Sequence, residues 1–140
     1  PKLINGELYI LQSATGELTR IDRNSGKKET ILKLDSFVRG MDICGEYLFI
    51  GLSKLRKGSK TFAKLAGNFS KNEAGIAIIH LPTGSFAGQI NYQSSVEEIY
   101  DVKVLLNTKR PNILNPASAE SNMAVSTPTS TFWAIKNVNN

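Results

Sequence analysis

Six cations crowd one stretch of this sequence: Lys54, Arg56, Lys57, Lys60, Lys64 and Lys71 stand against Glu73 alone between residues 54 and 73. Residues 1–53 carry seven basic and seven acidic groups and residues 74–140 carry four of each, so the whole net charge of +5 sits in that segment. An arginine can grip a carboxylate or phosphate through two parallel hydrogen bonds, and lysines add point charges. Lys54, Arg56, Lys57, Lys60 and Lys64 are therefore the leading candidates for holding an anionic ligand. Phe62, Leu65 and Phe69 would anchor the segment or stack on that ligand. The plainer reading is a solvated loop pinned by its phenylalanines. A single basic segment on a neutral body differs from a generally cationic nucleic-acid binder. Its aromatics are few and do not interleave with the cations as a stacking platform requires, which disfavours nucleic acid as a partner.

The acids offer a second chemistry. Asp42 and Asp101 follow Arg39-Gly40-Met41 and Glu98-Ile99-Tyr100, at matching points of a repeat described below. A repeated acid at the start of a strand can accept turn amides or pair with an arginine such as Arg39, and that is the expected role. Together with Glu97 and Glu98, the two aspartates could instead line a channel as general bases or as ligands of Ca²⁺ or Mg²⁺. No EF-hand spacing supports a metal, so the expectation is that no cofactor is needed. His80, the one histidine, ends an apolar run, where a strand-end residue held by its neighbours is expected rather than a catalytic base. Cys44 is the one cysteine and cannot form an intrachain disulfide; it reads as a small buried apolar residue. No nucleophilic triad, zinc set or phosphate-binding glycine loop is present.

The elements that would position these residues are short strands. Leu8–Gln12, Glu17–Asp22 and Lys28–Leu34 are separated by Gly- and Asn-bearing turns, and no stretch of ten residues keeps a 3.6-residue period. The stretch Phe37–Ser53 fills with Tyr, Leu, Phe and Ile around a Cys44-Gly45-Glu46 turn. Three segments then recur in order. Cys44–Ile50 matches Asn5–Leu11, Gly75–Gly84 matches Glu17–Gly26, and Ser95–Val102 matches Ser36–Ile43. A four-strand unit of about 40 residues is the period of propeller blades. The expected fold is all-β, with propeller-like four-stranded antiparallel blades. Residues 5–43 would form the first blade and 44–100 the second, interrupted by the basic insertion 54–73. Residues 101–114 would begin a third, and 115–140 would be a polar tail with a possible last strand at 131–135. Two blades and a part cannot close a ring. The chain is thus expected to be a fragment or processed product, completed by N-terminal blades or by another copy of itself.

The segments FVRGMDICGEYLFIGLSKLR, AGIAIIHLPTG and VEEIYDVKVL, followed by RPNIL, resemble the C-terminal portion of an uncharacterised bacterial family of β-propeller-like proteins. The resemblance covers roughly residues 35–115 and implies the fold but no activity. From the residues themselves, the expected function is a binding or scaffold module that presents the basic loop to an anionic or carboxylate-bearing ligand, a glycan or a protein. The alternative is a metal-dependent propeller hydrolase or lyase, of the lactonase kind, that uses channel acids. No apolar run approaches the roughly 18 residues of a membrane span. With no disulfide framework, the expected compartment is the cytoplasm.

Overall fold

The computed structural model describes residues 1–55, 69–70, 73–93, 96–109, 115, 117, 124–126 and 131–133. Two compact units divide the chain, residues 1–106 and 107–140. The first contains two four-stranded antiparallel sheets, each a simple meander in chain order, so the all-β expectation holds. One sheet is β1 (Lys2–Ile4), β2 (Glu7–Gln12), β3 (Glu17–Ile21) and β4 (Lys28–Lys33). The other is β5 (Phe37–Cys44), β6 (Tyr47–Ser53), β7 (Gly75–His80) and β8 (Ser85–Asn91). In the second unit, β9 (Ala124–Ser126) pairs with β10 (Thr131–Trp133), so the expected polar tail contains a strand and the expected last strand has a partner.

The expected boundary between units at 43/44 cuts through the second sheet. β5 is the first strand of that sheet, and its counterpart in the first sheet is Lys2–Ile4, a segment too short to show a pattern. The turns explain how the counterparts align. Asn5 and Gly6 form the tight turn between the paired residues Ile4 and Glu7, both with positive φ, 50° and 83°. Gly45 (φ 58°) and Glu46 form the turn between Cys44 and Tyr47. These are the two hairpin solutions that match strand twist, one needing positive φ at both central residues and the other at the first alone. Asn5 therefore corresponds to Gly45, and Leu8, Tyr9 and Ile10 correspond to Leu48, Phe49 and Ile50. The sequence match of Asn5–Leu11 with Cys44–Ile50 is one residue out, and a one-residue slip sends every side chain to the opposite face. The match of Glu17–Gly26 with Gly75–Gly84 agrees with the structure. Ile21 pairs with Leu8 as Ile79 pairs with Leu48, and Thr19 with Ile10 as Ala77 with Ile50.

The buried cluster of the first unit joins the two sheets. Ile4, Tyr9 and Leu18 of the first meet Val38, Met41, Leu48, Ile50, Leu52, Ala77 and Ile79 of the second. Along β2 and β3 these residues alternate with Leu8, Ile10 and Ile21, which are only half-buried. Along β6 and β7 the alternates are Phe49, Ile76 and Ile78, again half-buried. Each sheet thus carries apolar residues on both faces, and the largest fully buried ones lie on the face turned to the other sheet, with Thr19, the register partner of Ile10, buried on the opposite face.

Leu48→Ala should cost about 2–5 kcal/mol in urea unfolding, the usual range for emptying a filled core position. Its counterpart Leu8→Ala should cost clearly less, since Leu8 lacks that cover. Equal losses at the two positions would contradict this account of the core.

Candidate functional site

The site is built around a bulge in β5. Register between β5 and β6 shifts between Arg39 and Met41, leaving Gly40 as the extra residue, with φ 63°. Residues 99–102 run against this point. A Cβ on Gly40 would lie 2.8 Å from both Asp101 C and Val102 N, so only glycine allows the approach. Ser53 at the end of β6 holds the same stretch. Ile99 N donates to Ser53 Oγ at 2.9 Å, and Ser53 Oγ donates to Ile99 O at 3.0 Å. Lys54 N then donates to Glu97 O at 2.8 Å. Residues 96–102, in the segment matched to Ser36–Ile43, lie beside β5 and β6 but form no strand, and neither do residues 101–109 of the expected third blade.

Arg39 is organised by this approach. Its guanidinium lies 4.4 Å from the centroid of the Tyr100 ring and 5.9 Å from that of Phe37, and its Nη1 is 3.5 Å from Glu98 Oε2. A cation already held over an aromatic ring loses little rotamer freedom when it takes a further partner. A cleft of about 690 Å³ opens here, lined by Lys2, Ile10, Arg39, Met41, Tyr100 and Lys103 among others. Asp101 also lines it, exposed, with its Oδ2 3.9 Å from Lys103 Nζ and its Oδ1 accepting from Val102 N at 2.9 Å.

Asp42 does different work. It accepts from Lys2 Nζ and from Val104 N, the latter at 2.8 Å, so one carboxylate ties β1, β5 and the stretch after Tyr100. The Lys2 hydrogen bond, helped by the Val104 amide, lowers its pKa from 3.8 to about 2. Glu97 is exposed and offers its backbone to Lys54. Among the described residues, no group of three or more His, Cys, Asp or Glu side chains gathers as metal ligands would. Asp42, Glu98 and Asp101 each face a cation instead.

Of the basic candidates, Lys54 is half-buried where β6 ends beside Glu97. Arg56, Lys57, Lys60 and Lys64 lie outside the described residues, as do Phe62 and Leu65. Phe69 is half-buried, and Ser70 next to it donates its backbone N–H to Asp35 Oδ1 at 2.8 Å. His80 is remote from the cleft strands' bulge. Its Nδ1 is 2.8 Å from Thr83 Oγ1 and its Nε2 3.5 Å from Glu46 Oε2, and its ring is tilted 51° against Tyr47. Cys44 is half-buried beside the turn rather than deep in the core.

Sequence reading missed Lys2, Tyr100 and Lys103 as lining residues and Ser53 as the residue that positions them. Tyr100 and Asp101 stood in the matched segment Ser95–Val102, so the repeat itself could have pointed to them. Lys2 carried no signal, because three-residue β1 has no pattern of its own.

Folded Asp42 has a pKa below its unfolded value. Its contribution is therefore present above about pH 4 and is lost as pH falls towards 2. At neutral pH it amounts to at most about 2 kcal/mol. Asp42→Asn should remove it, so the stability advantage of wild type over the variant should shrink as pH falls from 5 to 2, read as urea midpoints. A constant difference over the whole range would show that the carboxylate's charge is not what matters.

The family model described as Domain of unknown function (DUF4915) matches residues 1–114. No curated protein and no solved structure matches the chain. Among the described residues, no helix is long and apolar enough to cross a membrane.

Proposed function

We propose a ligand-binding role for this chain, which belongs to the DUF4915 family: a module of propeller-type blades that receives an anionic, carboxylate-bearing ligand in the Arg39 cleft. The observation that carries the reading is Arg39 itself, its guanidinium carbon over the Tyr100 ring at the cleft and its Nη1 3.5 Å from Glu98 Oε2. Among the described residues Glu98 is its one ion-pair partner, so the guanidinium fork retains donors for a ligand carboxylate. Lys2 and Lys103 add positive charge to the walls, and Tyr100 adds a face on which a sugar ring or a planar group can rest.

The basic segment joins this reading through Lys54. It leaves β6 beside Glu97, next to the stretch that carries Glu98 and Tyr100. Five further cations follow Lys54 in the sequence, outside the described residues, and their charge raises the attraction of the chain for an anion, most strongly at low salt. The blade reading of the fold is supported by two consecutive four-stranded meanders with matching turns, each in chain order. The rival, a metal-dependent hydrolase, would need acids turned to a metal, and the candidates face Lys2, Arg39 and Lys103.

Titration calorimetry with citrate and with oligogalacturonate should show saturable binding, weakened by salt, and none with neutral cello-oligosaccharide. Arg39→Ala should weaken it roughly 10- to 100-fold, the value of a charged hydrogen-bonding group of about 1.5–3 kcal/mol. Arg39→Lys should recover only part, since an ammonium cannot make the paired contact. Undiminished binding by Arg39→Ala sinks the proposal. A Ca²⁺-dependent thermal shift lost in Asp101→Ala would favour the hydrolase.

A further inference from the structure

The contact between the two sheets shows what each sheet's other face is suited to meet. In the second sheet Leu48, Ile50 and Ile79 are 0% exposed beneath the first sheet's Tyr9 and Leu18. Their counterparts in the first sheet are Leu8, Ile10 and Ile21, fixed by the hairpin turns and by the pairs Leu8↔Ile21 and Leu48↔Ile79. These counterparts are apolar but only half-buried, Thr19 between them is 1% exposed, and Leu3, paired with Leu8 on the same face, is 56% exposed. The complementary half recurs at the other end. The counterparts of Tyr9, Leu18 and Leu32 are Phe49, Ile76 and Ile90. Ile76 and Ile90 are register partners as Leu18 and Leu32 are, and Ile90 is 51% exposed. One chain therefore carries both halves of an interface that it already makes once within itself.

We propose that a second copy of this chain covers the Leu3, Leu8, Ile10 and Ile21 face with its own Phe49, Ile76 and Ile90 face, head to tail. The inference rests on the blade reading of the fold and not on the ligand. The contact repeats the intramolecular one, so it is heterologous, and such contacts either close into a ring or grow without end. Among the described residues, two copies of this 140-residue chain bring four four-stranded sheets, the smallest number of blades that closes a propeller.

Sedimentation velocity of the 140-residue chain from about 1 to 200 μM should show a dimer or a larger closed assembly. Leu3→Glu and Ile90→Glu alter side chains that are exposed in the single chain, so each variant should melt near wild type yet associate at least tenfold more weakly. An equimolar mixture of the two variants should associate again, because one intact face of each kind remains. A self-paired contact gives a different result: one of the two variants would associate as wild type. A monomeric wild type, association untouched by either variant, or a mixture that stays monomeric overturns the proposal. Should a variant unfold, wild-type hydrogen exchange decides. Amides of Leu8, Ile10 and Ile21 should slow as concentration rises, and unchanged rates overturn it too. Citrate titration of the Leu3→Glu variant reads the Arg39 cleft separately, so failure here leaves the ligand reading standing.

Discussion

The seating of Tyr9 and Leu18 on Leu48, Ile50 and Ile79 is the contact on which the rest of the first unit depends. A meander is stable in water only where a hydrophobic face is buried, since the net gain from each hydrogen bond along its strands is modest. Each large aliphatic side chain fully withdrawn from water contributes about 1.5–3 kcal/mol, so the stability of both sheets lies in the seam between them. The seam also constrains sequence. A sheet that is apolar on both faces has strands that lose the simple alternation of a half-solvated sheet. The run Tyr47–Leu52 has that character, with Leu48, Ile50 and Leu52 on one face and Tyr47 and Phe49 on the other.

This loss of alternation explains where the sequence could and could not be read. The all-β class, the strand positions and the correspondence of β3 with β7 were legible, because Asn24-Ser25-Gly26 and Pro82-Thr83-Gly84 mark the same corner after strands of matching length. The correspondence of β2 with β6 was legible only to within one residue. Both contain continuous apolar runs, so either register sets one hydrophobic residue against another. What decides is turn geometry, two positive φ values at Asn5-Gly6 against one at Gly45, and an Asn-Gly-Glu aligned on a Cys-Gly-Glu conceals the difference. Strand β1 was missed for want of length, and so β5, the first strand of the second sheet, was assigned to the first unit.

The cleft was less legible than the fold, for a different reason. Its members come from β1, from β2, from the bulge of β5 and from the stretch around Tyr100, and nothing local records that Gly40 meets Asp101 across 61 positions of chain. Composition drew attention to the cations of residues 54–73, which are conspicuous because they are adjacent in sequence. Arg39 was noted only as a partner for an aspartate. Its stacking on Tyr100 depends on a bulge, and a bulge is invisible until the partner strand is placed.

The two ion pairs that bind successive units share a property that follows from repetition. Counted from the hairpin turns, Lys2 in β1 corresponds to Asp42 in β5, and these two are partners. Arg39 corresponds to Glu98 in the segment match, and these also are partners, at 3.5 Å. Where neighbouring units bring equivalent positions together, a perfect repeat would place like charges side by side, which is repulsive. Either the position is neutral in every unit, or the charge alternates and the repeat breaks there. Asp42 and Asp101 show the remaining case. They match in the repeat but do not oppose each other, since Asp42 is turned to Lys2 and the Val104 amide while Asp101 faces Lys103. These polar positions of β1, β5 and the stretch around Tyr100 are therefore the place where identity between repeats has to fail, and the failure leaves Arg39 and Lys103 beside the cleft while the core faces keep their apolar pattern.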